Sequence, residues 1–269
     1  MPSSQTSSQP RIAHSDRYDQ ALLWAAQLHR RQFRKGKPVP YISHLISVSA
    51  LVWEDGGNED QAIAALLHDA IEDAGQDHGS IAERFGNGVA DIVVACTDTS
   101  APLAEGSEKE PWLLRKTRTI QSLATKPQSA WLVIAADKAH NARDLMIDAK
   151  RDPASWERFT PGLDGSCWYL WSLHGQLREL LPGSRSVGML GSCVEAILAT
   201  PEVQARLGNG QSAQEWVAGY LGRPETHPKE KRFATTGPSS LEQLLDLPPA
   251  NEGRTKEAMD ADLRNERDW

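Results

Sequence analysis

Residues 62–73 read AIAALLHDAIED, an apolar run that ends in one histidine and three carboxylates. The apolar residues recur at spacings of three and four, which is typical of the buried face of an α-helix. The same spacings place Glu72 and Asp73 on the face of His68 and Asp69, one turn later. Such crowded charges repel one another unless a divalent cation binds them. The stretch therefore predicts a metal site on a helix, with a solvent-facing acidic helix end as the equally good alternative for this helix alone.

Two further residues offer metal ligands from other helices. His44 interrupts an apolar helical pattern, so its imidazole is expected to face inward and to need a partner. Asp137 ends the apolar run WLVIAAD, where a carboxylate is costly unless it is paired or metal-bound. Taken singly, a histidine bonded to a carbonyl and an aspartate in an ion pair are the simpler explanations. Together with His68 and Asp69, these residues suit Mn²⁺ or another divalent cation with positions open for water and phosphate.

Composition excludes several classes of protein. A chain of 269 residues with 39% hydrophobic content can bury one substantial core. Its net charge of -7 argues against nucleic-acid or anionic-membrane partners. Cys96, Cys167 and Cys193 show no CxxC spacing, which favours a reducing cytoplasm over a disulfide framework. No signal peptide and no apolar run near ~20 residues is present, so we expect a cytoplasmic protein.

The helical periodicity predicts an all-α protein. Helices are expected over residues 18–33, 40–53, 59–73, 89–96, 112–124, 129–150 and 166–181. Asn58 is the expected N-cap of the third of these, and Ser80 with Glu83 has capping-box spacing for a further short helix. We assign residues 1–14 to a disordered leader, 15–200 to the main domain, 201–223 to an uncertain helical extension and 224–269 to a mobile charged tail.

The end of the tail suggests a protein partner. Residues 255–269 can form a short charged helix with Met259, Leu263 and Trp269 near one side. This pattern resembles the partner-binding tails of small antitoxin proteins. A frayed, solvated helix is the simpler alternative.

Three segments that carry the candidate ligands resemble one known family. They are AAQLHRRQFRKGKPVPYISH at residues 25–44, AALLHDAIED at 64–73 and AADKAHNARDL at 135–145. In this order they look like the hydrolase domain of the RelA/SpoT alarmone enzymes and the small alarmone hydrolases. The resemblance covers about residues 18–180 and implies an HD-superfamily helical bundle with metal-dependent phosphohydrolase activity, to which the composition adds disordered termini.

The resemblance also implies roles for individual residues. The implied metal ligands are His44, His68, Asp69 and Asp137. The resemblance implies that Glu72 and Asp73 orient or deprotonate the attacking water. The implied substrate-binding residues are Arg34, Lys35, Lys116, Asn141 and Tyr169. Leu114 replaces a family glutamate two residues before Lys116, so a solvated helix face explains Lys116 equally well. Tyr169 lies in an aromatic helix that is also typical of a core.

The implied reaction removes the 3′-pyrophosphate of a guanosine alarmone such as ppGpp, as in the stringent response. No synthetase domain is visible, so hydrolysis alone is expected. One alternative is a different phosphorylated nucleotide, such as NADPH or a nucleoside monophosphate, because a metal site does not define the leaving group. Another is a non-catalytic metal or nucleotide sensor, which does not require the acidic pair Glu72 and Asp73.

Overall fold

The computed structural model describes residues 14–98 and 110–228, and this part of the chain is helical. The α-helices are α1 (Asp16–Leu28), α2 (Ile42–Glu54), α3 (Glu59–Leu67), α4 (Ala70–Ala74), α5 (His78–Phe85), α6 (Asn87–Cys96), α7 (Trp112–Ser122), α8 (Gln128–Arg151), α9 (Gly162–Leu180), α10 (Arg185–Leu198), α11 (Pro201–Gln204) and α12 (Ala213–Ala218). Short 3₁₀ helices cover Leu123–Thr125, Pro153–Arg158, Tyr220–Gly222 and Pro224–Thr226. Within the described ranges β-type pairing is limited to one isolated bridge between Phe33 and Pro40, so the all-α prediction is confirmed.

Helix α8 lies at the centre of the core. It packs against α2, α3, α6, α9 and α10. Ala135, Ala136, Ala139 and Ala142 on α8 are fully buried, and their small side chains let neighbouring helices approach closely. This packing brings α2 and the end of α3 beside Asp137 on α8.

The turn between α2 and α3 depends on Gly57. A Cβ at this position would lie 2.5 Å from Cγ1 of Val52 and 3.1 Å from Cδ2 of Leu132, so no larger residue fits without movement. Asn58 then caps α3, because its side chain accepts a hydrogen bond from the backbone N–H of Gln61. The predicted N-cap is confirmed.

The predicted helix over residues 59–73 is divided in the structure. Helix α3 ends at Leu67, and Asp69 has a φ of -99° and a ψ of 2°, outside the α-helical values. The helix resumes at Ala70 as α4, which ends at Ala74. Gly75 follows as its C-cap, with a left-handed φ of +62°. His68 and Asp69 thus lie at a break between α3 and α4. The prediction of one continuous helix was wrong at this point.

Other boundaries also differ from the predictions. Helix α1 ends at Leu28 rather than residue 33, and a loop follows up to α2. The short helix α5 has its capping box at Asp77 and Ser80, three residues earlier than predicted, since Asp77 accepts from the N–H of Ser80.

The C-terminal part of the described chain packs on α9. Tyr220 is fully buried and stacks on Trp168 at a ring-centroid distance of 5.3 Å, and His227 contacts Tyr220 in turn. Two predicted segments lie outside the described residues: 1–13 of the leader and 229–269 of the tail. The helix expected at 255–269 lies in the second of them. Among the helices of residues 14–98 and 110–228, none has the length and hydropathy needed to cross a membrane.

Candidate active site

The four residues predicted to bind metal meet where α2, the end of α3 and α8 come together. Nε2 of His68 lies 3.1 Å from Oδ2 of Asp69 and 3.6 Å from Oδ1 of Asp137. Nε2 of His44 lies 3.3 Å from the same Oδ1 of Asp137. One ligand atom from each of His44, His68 and Asp69 falls within 4.8 Å of the others. Two imidazole nitrogens and the Asp69 carboxylate oxygen at this spacing could hold a divalent cation, and Asp137 lies against both histidines.

Hydrogen bonds to the second ring nitrogen orient both imidazoles. Nδ1 of His68 lies 2.8 Å from the carbonyl oxygen of Ala65, so Nδ1 is the donor and Nε2 faces the carboxylates. Nδ1 of His44 lies 2.9 Å from Nδ1 of His140, and one of these two nitrogens donates. In metal sites, a partner on one imidazole nitrogen leaves the other nitrogen oriented for the ion.

The protonation states of His44 and Asp137 suit metal ligands, whereas His68 must lose a proton to bind a cation. Burial disfavours its charged form, but Asp69 and Asp137 outweigh burial and raise the pKa of His68 well above its usual value. Burial lowers the pKa of His44 to about 4, so its imidazole is neutral at pH 7. Burial alone would raise the pKa of Asp137, but Lys138 and the hydrogen bonds with His44 and His68 outweigh it and hold this pKa well below its usual range. A neutral imidazole and an ionised carboxylate are the forms that coordinate a cation.

Asn141 joins Asp137 to the candidate substrate residue Arg34. Its Nδ2 donates to Oδ1 of Asp137 at 2.6 Å, and its Oδ1 accepts from Nη2 of Arg34 at 2.8 Å. Arg34 also lies 3.2 Å from Oδ2 of Asp144. On the other side of Asp137, Nζ of Lys138 is 2.8 Å from Oδ2. Arg34 and Asn141 are therefore brought together beside the candidate metal ligands.

The loop that carries Arg34 is anchored to α8 by ion pairs. Nζ of Lys37 lies 2.8 Å from Asp144 and 2.5 Å from Asp148. Lys35 lies on the same loop, with its Nζ 5.7 Å from the ring centroid of Phe159. The loop thus has a defined position relative to the cluster.

Glu72 and Asp73 have different surroundings. Oε1 of Glu72 accepts from the backbone N–H of Asp98 at 2.6 Å, whereas Oδ2 of Asp73 accepts from Nε2 of Gln32 at 3.4 Å. Glu72 is exposed, yet protein atoms around it partly desolvate its carboxylate and, with the negative charges of Asp98 and Asp69, raise its pKa. Because solvent reaches the Glu72 side chain, it reduces this rise in pKa.

Lys116 and Tyr169 lie in the interior beside the cluster. Lys116 is 1% exposed, and its Nζ is 2.6 Å from Oδ2 of Asp98 and 4.9 Å from the ring centroid of Tyr169. Lys116 therefore does not lie on a solvated helix face. Tyr169 is fully buried, and its ring centroid is 6.0 Å from Nζ of Lys138. The tyrosine thus contacts the two lysines rather than the surface.

Four residues at this site were not found from the sequence: Tyr41, Asp98, Lys138 and His140. The hydroxyl of Tyr41 donates to Asp69. Asp98 follows the apolar helix α6 as Asp137 follows its own apolar run, so the same argument would have identified it. Lys138 and His140 follow Asp137 by one and three residues. A cavity of about 20 Å³, enough for one water molecule, is lined by His68, Asp98, Asp137 and Lys138 among others.

The chain is also similar to known proteins. Residues 21–160 match the HD domain family. The guanosine-3′,5′-bis(diphosphate) 3′-pyrophosphohydrolase MESH1 of Xenopus tropicalis is 36% identical over 129 residues, which is 47% of this chain and 68% of that protein. MESH1 of Drosophila melanogaster is 32% identical over 145 residues, 53% of this chain and 75% of that protein.

A solved structure is also similar. It is that of a metazoan ortholog of SpoT that hydrolyses ppGpp, with a TM-score of 0.55, 26% sequence identity and coverage of 69% of this chain and 97% of that one. The family match and the His-Asp cluster lead to one conclusion: the chain belongs to the HD domain family and is homologous to the MESH1 proteins.

Proposed function

We propose that this protein is a metal-dependent phosphohydrolase that converts ppGpp and water to GDP and pyrophosphate. The observation that carries the proposal is the convergence of His44, His68, Asp69 and Asp137, with Glu72 one helical turn beyond His68 and Asp69. The similar MESH1 proteins are named for the same reaction. The free cysteines of the described chain support a cytoplasmic location.

The same four residues are the proposed metal ligands. Imidazole donors favour a transition-metal cation over Mg²⁺ or Ca²⁺, which prefer oxygen alone, and Mn²⁺ is the ion that we propose. Such an ion, when bound, polarises a phosphoryl oxygen and lowers the pKa of water.

Glu72 and Asp73 are the proposed proton acceptors for the attacking water. The raised pKa of Glu72 brings this carboxylate closer to neutral pH, where a general base is most effective. The backbone N–H of Asp98 orients Glu72, and Gln32 orients Asp73. Water then adds to phosphorus, and the 3′ oxygen leaves and takes up a proton.

Arg34, Lys35, Lys116 and Asn141 are the proposed substrate-binding residues. Because the net charge is -7, an anionic substrate must be met by a local group of cations. Arg34 is held at the cluster by Asn141, which supports a role in bidentate phosphate binding. We propose that Tyr169 contributes by orienting Lys116 through its ring rather than by contacting substrate.

A substrate panel tests this function. The purified chain with Mn²⁺ is incubated with ppGpp, pppGpp, NADPH and nucleoside monophosphates, and products are separated by anion exchange. We expect GDP and pyrophosphate from ppGpp, and no product with His68→Ala. Turnover confined to NADPH or a monophosphate would show that the substrate assignment is wrong. Binding of ppGpp without any turnover would indicate a sensor.

A further inference from the structure

Asp98 contacts both α4 and α7 through different atoms. Its backbone N–H donates to Oε1 of Glu72 on α4 at 2.6 Å. Its carboxylate reaches α7, where Oδ2 lies 2.6 Å from Nζ of Lys116 and Oδ1 accepts from the hydroxyl of Thr119 at 2.9 Å. One residue therefore connects the candidate base to the candidate phosphate-binding lysine.

The pair between Asp98 and Lys116 is shielded from solvent. The Lys116 side chain is 2% exposed and that of Asp98 is 16% exposed. Asp98 raises the pKa of Lys116, which counters the opposing effect of burial and keeps the ammonium charged. Lys138 is a second nearby cation, and its charge repels that of Lys116. Without the Asp98 charge, Lys116 would remain buried beside a like charge, which favours its movement or deprotonation.

We propose that Asp98 is a positioning residue that holds Lys116 at a defined place relative to Glu72, so that a phosphate bound by the lysine lies within reach of the base. The inference rests on the proposed function for the roles of Glu72 and Lys116. It extends that function, because it assigns a role to the carboxylate of Asp98 in addition to the backbone N–H that orients Glu72. Its two contacts are separable, since the Glu72 contact uses backbone and the Lys116 contact uses the side chain.

Asp98→Asn separates the two contacts. The amide keeps the shape of the side chain and the backbone N–H, but removes the charge that holds Lys116. Asp91→Asn is the matched control. Asp91 lies on α6, its side chain is 63% exposed, and its ion pair among the described contacts is with the exposed His78. We therefore expect Asp98→Asn to raise KM more than it lowers kcat, and Asp91→Asn to change neither.

The first experiment measures the position of Lys116 without any substrate. Full-length metal-free protein is treated with a soluble acylating reagent, and modification of each lysine is followed by peptide mass spectrometry. In the wild type and in Asp91→Asn, buried Lys116 should react at least about 10-fold more slowly than exposed Lys150, and Asp98→Asn should remove most of that difference. Unchanged protection of Lys116 in Asp98→Asn would overturn the inference.

The second experiment measures the consequence for the reaction. With Mn²⁺ and ppGpp, Asp98→Asn should raise KM about 10-fold at wild-type metal content, and the same substitution should have little further effect in a Lys116→Met background. A purely structural role would lower the melting temperature and the active fraction but leave KM unchanged, which would contradict the proposal. Absence of ppGpp hydrolysis in the wild type would disprove the proposed function, whereas the Lys116 modification would still decide the role of Asp98.

A milder variant covers the case in which Asp98→Asn does not fold. Thr119→Val removes the hydroxyl that donates to Oδ1 of Asp98 but keeps the ion pair with Lys116. We expect about a 3-fold rise in KM and a measurable increase in Lys116 modification, because the carboxylate is less firmly held. Wild-type values of both quantities in this variant would count against the inference.

Discussion

Nδ2 of Asn141 lies 2.6 Å from Oδ1 of Asp137, one turn earlier on the same helix. An amide is suited to this position because it donates to Asp137 and at the same time accepts from Arg34. A carboxylate would repel Asp137, and a hydroxyl would reach less far. The candidate metal ligand and the candidate substrate residue are thus oriented by one side chain.

Asn141→Ala should weaken both functions of that side chain. Loss of a group that orients a metal ligand typically costs roughly 10- to 100-fold in metal affinity or activity, and Arg34 also loses an acceptor. We expect weaker Mn²⁺ binding by calorimetry and a higher KM for ppGpp. Asn87→Ala, at an exposed position on α6, is the control. Wild-type Mn²⁺ affinity in Asn141→Ala would refute this link.

Mn²⁺ should stabilise the native state, because ligands from separate helices meet only in the folded chain. At 100 times the dissociation constant, binding contributes about 2.7 kcal/mol, or about 5 to 10 °C in melting temperature for a chain of this size. Thermal melts in EDTA and in Mn²⁺ measure the difference, and His68→Ala should remove it. Equal melting temperatures for the wild type in both solutions would exclude a metal site here.

Catalysis and metal binding should separate in two sets of variants. Glu72→Gln with Asp73→Asn keeps shape but removes the proposed base, which typically costs roughly 10² to 10⁴ in kcat. Mn²⁺ content and fold should remain those of the wild type. Asp137→Asn should instead lose metal and activity together, because Asp137 lies against both histidines. Metal loss from the double variant would show that Glu72 or Asp73 is a ligand.

His140 should make the metal-free protein less stable in acid. Burial, His44 and nearby arginines lower its pKa from 6.5 to about 3, so the unfolded chain takes up a proton that the folded chain resists. Stability is therefore lost as pH falls below 6.5, by roughly 2 kcal/mol at pH 5. Urea unfolding in EDTA at pH 7.5 and pH 5 should show a smaller difference for His140→Asn. The exposed His78→Asn is the control, and identical pH dependence for wild type and His140→Asn would contradict the assignment.

The ring of Tyr169, not its hydroxyl, should matter for Lys116. The hydroxyl has no hydrogen-bond partner among the described residues, whereas the ring lies 4.9 Å from Nζ of Lys116. Tyr169→Phe should therefore keep KM within about 2-fold, and Tyr169→Leu should raise it by about 5-fold through loss of the cation–π contact. A large effect of Tyr169→Phe on KM would instead indicate that the hydroxyl binds substrate.

Local patterns in the sequence were sufficient to predict the helical class and most helices. Helix periodicity depends on residues three and four apart, so it is readable in any short window. The same spacings grouped His68 and Asp69 with Glu72 and Asp73 on one helical face. His44 and Asp137 were selected because a polar side chain within or at the end of an apolar run needs a partner. Their roles as ligands remain predictions. Their convergence in space was expected from their shared donor chemistry and from the resemblance to a known family, not from any local pattern.

Contacts between distant segments could be found only in the tertiary structure. His44 meets His140 across 96 residues, and Lys116 meets Asp98 across 18 residues and between different helices. Neither pair has a spacing that any helix periodicity would reveal. The break at His68 and Asp69 is also tertiary in origin, since Asp69 is held by Tyr41 from another segment. Side-chain partners of this kind depend on how helices pack, and packing is a property of the whole core rather than of any single stretch of sequence.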